Sequence, residues 1–186
     1  MTFYFLEAYT HNIFKTMYPQ LIWYNFLFFW LLAGLLFFLT GKLKTALKIE
    51  TIFFGVSGLA NFYVYRFRSN PILPWDIYSL KTAASVSGNY DYKLTGDTIQ
   101  VILVFIVMVV AEHFICDFAW KDIQAKRKKI IIRVTGALVC CISLFVYSRA
   151  LWQDEFVSKM WIYDKLFTPD TMQYKDGDVV AFVMDT

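Results

Sequence analysis

Residues 21–40, LIWYNFLFFWLLAGLLFFLT, run for twenty positions without a charged side chain. At a rise of about 1.5 Å per residue, a helix of that length covers about 30 Å, the thickness of a bilayer's hydrocarbon core. The rest of the chain repeats the pattern. Of its 186 residues 58% are hydrophobic and 20% aromatic, too apolar for an ordinary soluble domain of this length, and the apolar residues are gathered in blocks. The expected fold is an all-α integral membrane protein with four transmembrane helices and short interfacial helices.

The first span, 21–40, has Trp23 and Tyr24 near its start and Lys42 and Lys44 just past its end, an aromatic belt at one interface and basic residues at the other. The second, 46–65, carries Lys48 and Glu50 in its first turns, so it crosses only if the lysine snorkels. Gly55, Ser57, Gly58 and Ala60 give it a small-residue surface for close helix approach, with Asn61 placed to hydrogen-bond across. The third, 99–116, is rich in Val and Ile, but eighteen unbroken residues argue for a spanning helix over a strand. Glu112 and His113 fall in its last turns, either at headgroup level near Asp117 or as members of a proton relay. The fourth span is 130–151. Ahead of the first, residues 1–20 hold Glu7, His11 and Lys15 at helical spacing among apolar residues. They read as an outer interfacial helix or as the worn end of a longer span.

Between the second and third spans, the outer loop 66–98 opens with Arg66-Phe67-Arg68-Ser69-Asn70-Pro71-Ile72-Leu73-Pro74-Trp75-Asp76. Pro71 and Pro74 fix their own φ and push Asn70 and Leu73 towards extended geometry, making a rigid elbow. Asp76 stands where a helix cap would stand, its carboxylate expected to accept from the amide of Ser79 or a neighbour and to open a short helix through Ile77, Leu80 and Ala84. Arg66 and Arg68 either meet lipid phosphates, which guanidinium matches with a bidentate fork, or anchor the helix end at the interface.

Lys121, Lys126, Arg127, Lys128, Lys129 and Arg133 form the densest positive stretch, which the positive-inside rule places in the cytoplasm. Both termini, the elbow and the acidic, aromatic segment 152–186 are then outside, in a multi-pass protein of the cell membrane. A net charge of +3 carries little weight in such a chain, and nucleic acid is not an expected partner. Cys116, Cys140 and Cys141 lie in or beside apolar runs without zinc or disulfide spacing. No phosphate-cradling loop, metal-binding histidine pair or serine elbow is present, so neither catalytic residues nor metal ligands are expected here.

Asn70-Pro71-Ile72-Leu73-Pro74-Trp75-Asp76, with Ser79-Leu80, Ala83-Ala84, Val86 and Asn89-Tyr90, resembles the extracellular loop in the membrane domain of the lipoteichoic acid synthase-like, sulfatase-fold phosphoglycerol transferases. Tyr174-Lys175-Asp176-Gly177 and Val180-Ala181-Phe182-Val183 resemble the segment leading towards that family's extracellular catalytic domain. The resemblance runs from about Leu21 to the end. It implies five membrane helices and an outward-facing domain with a threonine nucleophile and a divalent metal, usually manganese, that moves glycerol phosphate from phosphatidylglycerol onto a growing polymer. Four spans here match the last four of the five, and the catalytic domain has no counterpart, so no nucleophile or metal ligand carries over and no cofactor is expected in this chain. What carries over is a lipid-side platform of Arg66, Arg68, Pro71, Pro74, Trp75 and Asp76. Residues 152–186 become a leader towards a missing sulfatase-like domain, supplied in cis or in trans. The expected role is membrane anchoring and lipid presentation; the alternatives are a stand-alone scaffold or accessory subunit and, further off, a small transporter.

Overall fold

The computed structural model describes residues 6–7, 17–79, 95–114, 126–153 and 175–184, and every regular element among them is helical. Helix α1 (Pro19–Thr40) starts with proline in its first turn, where the missing N–H is one the helix leaves unused. It stops at Gly41, whose left-handed φ of 73° lets its N–H reach back to Phe37 O at 2.7 Å. The helix is apolar all round, yet only Leu21, Asn25 and Phe29, spaced four residues apart, are buried within the chain. Two residues later α2 (Leu43–Arg68) begins, and it ends on Ser69, a non-glycine residue at φ 57° whose N–H bonds Tyr65 O at 2.8 Å.

Beyond the elbow a 3₁₀ turn (Pro74–Ser79) follows. Thr95 then caps α3 (Gly96–Ala111), its Oγ1 accepting from Thr98 N, and a 3₁₀ turn (Glu112–Phe114) extends that helix. Helix α4 (Lys126–Ala150) starts four residues before the expected span, so Lys126, Arg127, Lys128 and Lys129 sit on its first turn. A short α5 (Asp178–Met184) closes the described chain.

The four long helices lie in the order α4, α1, α2, α3. Tyr24 stacks on Tyr147 with ring centroids 4.4 Å apart and donates its hydroxyl to Tyr147 O, and Phe38 lies against Gly136, so α1 and α4 run antiparallel. A Cβ on Gly136 would sit 2.4 Å from the Phe38 ring, which is why the contact needs glycine. Phe29 meets Phe54 edge-on at 4.8 Å between α1 and α2. Gly55 likewise takes the ring of Phe105 from α3, the close approach its small side chain predicts.

Two helices, Pro19–Thr40 and Lys126–Ala150, are long and apolar enough to cross a membrane, where four are expected from the sequence. Helix α2 has the length but carries Lys44, Lys48, Glu50, Arg66 and Arg68 along it. The apolar stretch of α3 with its extension, Thr98–Phe114, is too short, about 25 Å at the helical rise. Neither of the two is mostly buried within the chain. Only 17% of the apolar window of α1 and 6% of that of α4 is buried within the chain. Leu138, Val139, Ile142, Phe145 and Val146 stand exposed together along α4.

Segment 152–186, expected as an outward leader, turns back over the residues described in it. Val179, Val180 and Met184 are buried in one cluster with Leu21, Phe29, Tyr147 and Leu151. Asn25 Nδ2 donates to Asp176 O at 2.7 Å and Trp152 Nε1 to Val183 O at 3.4 Å. Most of the expected interfacial helix at 1–20, the helix continuation through Leu80 and Ala84, and the aromatic link at 87–92 lie outside the described residues. So do Cys116, Lys121 and most of the leader.

Candidate functional site

The elbow is held at the far end of α2 by two backbone-to-side-chain bonds. Asn61, a buried residue on α2, accepts from Ile72 N at 2.8 Å, so its amide oxygen holds the elbow. Leu73 N donates to Asp76 Oδ2 at 2.6 Å, while Asp76 N donates to Leu73 O at 2.9 Å. The helix opens at Pro74, two residues before Asp76, so Asp76 is its third residue and its carboxylate reaches back to the N-cap amide of Leu73. Proline at the first position suits a turn that asks for no N–H there.

The expected platform residues are therefore gathered at one end of the bundle. Arg66 and Arg68 lie in the last turn of α2, Pro71 is buried between α2 and the turn, and Pro74, Trp75 and Asp76 form the turn's first half. The Arg66 guanidinium stands 5.6 Å over the Phe62 ring, a cation held against an aromatic face one helical turn below it. Pro19, Thr95 and α5 share this end with the elbow.

The opposite end collects the basic residues Lys42, Lys44 and Lys126–Lys129 and holds two arrangements that single-helix patterns do not disclose. Arg133 of α4 donates Nε to Phe38 O at 2.8 Å and Nη2 to Leu39 O. Its guanidinium thus satisfies carbonyls that α1 leaves orphaned at its C-terminus, where a positive charge also suits the helix dipole. From sequence it is only an interruption at the edge of the fourth span. One turn further in, Glu50, Thr51 and Glu112 are all buried, with Thr51 Oγ1 donating to Glu112 Oε1 at 2.6 Å. Glu112 is thus buried within the chain, and its Oε2 has no hydrogen-bond partner among the described residues. His113 does sit exposed, its Nδ1 3.3 Å from Lys48 Nζ.

No group of three or more metal-ligating side chains occurs among the described residues. No protein family, curated protein or solved structure matches this chain.

Proposed function

We propose that this chain is the membrane-anchoring and lipid-presenting module of a lipoteichoic acid synthase-like phosphoglycerol transferase, without catalytic activity of its own. In this reading α2 and α3 cross the bilayer beside α1 and α4. The lysine-rich end is cytoplasmic, the elbow and both termini are outside, and a sulfatase-like domain acts in cis or in trans. The observation that carries it is the elbow's double fastening, Ile72 N to Asn61 and Leu73 N to Asp76. These bonds hold a proline-braced surface beside Arg66, as a platform that meets a phosphate headgroup requires.

Trp75→Ala and Asp76→Ala, made in the complete transferase, should each lower polymer synthesis while leaving membrane insertion intact. Wild-type synthesis in both variants rules the role out. A second reading, an accessory scaffold with no transferase partner, is favoured by α5, which folds back on α1 rather than leading away from the bundle. Co-purification from detergent extracts separates the two: the first predicts a sulfatase-like protein or domain, the second a different membrane protein.

A further inference from the structure

Two carboxylic acids lie inside the lysine-rich end. Glu50 of α2 is 2% exposed and Glu112, just past α3, 5%. Glu112 Oε1 takes the hydroxyl of Thr51 at 2.6 Å, while Oε2 is sealed from solvent with no donor on it. Glu50 stands next to Thr51 on α2 and feels the negative charge of Glu112.

Among the described residues neither acid makes an ion pair with a lysine or arginine. Lys48, three residues before Thr51, brings its Nζ to His113 Nδ1 at 3.3 Å, and His113 is exposed. Helix α1 is uncharged from 21 to 40, and Arg133 of α4 is bonded to Phe38 O and Leu39 O. Two ionised carboxylates buried together would lack both water and counter-charge, which costs far more than burying one of them as the neutral acid. Either a positive ion joins them or one keeps its proton. A hard metal ion asks for about six oxygens, whereas a proton is satisfied by one, and Oε2 is bare. Like charges at one site strengthen the hold on the first proton, which then belongs to the pair rather than to either acid.

We propose that Glu50 and Glu112 together bind one proton, forming a protonatable site between α2 and α3. The proposal is independent of the transferase reading, since the chain itself buries both acids. Loss of the proton sets like charges against each other beside the bond that joins Thr51 to Glu112, so the site makes the contact between α2 and α3 sensitive to acidity.

The test follows the unfolding midpoint of the full chain, titrated with dodecyl sulfate, across pH. A proton held by the fold but not by the unfolded chain stabilises the fold in acidic buffer, and that stability is lost as pH rises. The wild-type midpoint should therefore fall from mildly acidic to mildly alkaline buffer. The double variant Glu50→Gln/Glu112→Gln, which fixes a neutral side chain at both positions, should hold it level. His113→Gln and acetylation of the amino terminus remove the other groups that titrate near neutrality and should leave the wild-type slope in place. Dicyclohexylcarbodiimide, an apolar reagent that adds to protonated carboxyls, gives a second readout. Adducts mapped by mass spectrometry should form at Glu50 or Glu112 in acidic buffer and fall about tenfold for each pH unit above the pair's titration. Glu112→Gln should lower the labelling of Glu50 at neutral pH, because the like charge that held its proton is gone. Sodium and calcium chloride should protect no better than choline chloride at equal ionic strength. A slope shared by wild type and double variant, a slope lost with His113→Gln or acetylation, Glu50 labelling unchanged by Glu112→Gln, or protection by a metal salt overturns the proposal. If the double variant does not fold, wild-type labelling decides alone, and no adduct at either acid in acidic buffer overturns it.

Discussion

Arg133 illustrates how one side chain ties two long helices together. Each of its bonds ends on a main-chain carbonyl near the end of α1, and hydrogen bonds from charged donors contribute about 1.5–3 kcal/mol each. Arg133→Ala should therefore destabilise the bundle by about 2 kcal/mol or more, read as a lower midpoint when dodecyl sulfate is titrated against helicity. Arg133→Lys should recover only part of that, because an ammonium cannot reproduce the planar two-pronged fork. Thr51 makes a comparable case. Thr51→Val keeps the shape but leaves the buried Glu112 Oε1 without its donor, at a cost of about 1–3 kcal/mol. The double variant Thr51→Val/Glu112→Leu should lose less than the two single losses added together, because removing both partners leaves no orphan. Additive losses in the same titration would mean that the two side chains act independently.

Single elements differ in how openly the sequence declares them. Helix α1 is legible at once, since the uncharged run 21–40 gives its end at Gly41 and places its start within two residues of Pro19. The elbow is legible as a non-helical stop because proline acts on its own backbone and on the residue before it. The bond from Leu73 N to Asp76 is not, because the same acidic residue serves as a cap or as the third residue of a turn, and only the helix start at Pro74 shows the second role. Glu50, Thr51 and Glu112 come from two helices, and Arg133 and Leu39 from two others. Their pairing depends on which helices are neighbours and at what register, which no single periodicity encodes. The fate of α5 was hidden for a similar reason: Val179, Val180 and Met184 form an apolar face, but nothing in seven residues says what that face covers. For the elbow, Asn61→Ala and Asp76→Ala should each weaken the turn by about 1 kcal/mol, the usual contribution of one hydrogen bond. Limited proteolysis checks this, since cleavage between Arg66 and Pro74 should speed up in both variants while cleavage elsewhere does not.

The whole molecule has two unlike ends: one gathers the lysines and the buried carboxylates, the other the elbow and the returning tail. Removing residues 175–184 should uncover Leu21 and Leu151 and deprive Asn25 of its bond to Asp176 O. At about 1.5–3 kcal/mol per fully buried apolar side chain, the loss of Val180 alone should lower the unfolding midpoint measurably. An unchanged midpoint would mean that the tail rests on the bundle without supporting it. The bond between Arg133 and α1 also bears on how the protein is made. Leu39 and Arg133 are 94 residues apart in sequence, so at about 5–20 residues per second a ribosome needs about 5–20 s to deliver the arginine after α1 is complete. Throughout that interval the newborn α1 must rest without the arginine on its last carbonyls, which water or another donor has to serve until α4 arrives to receive them.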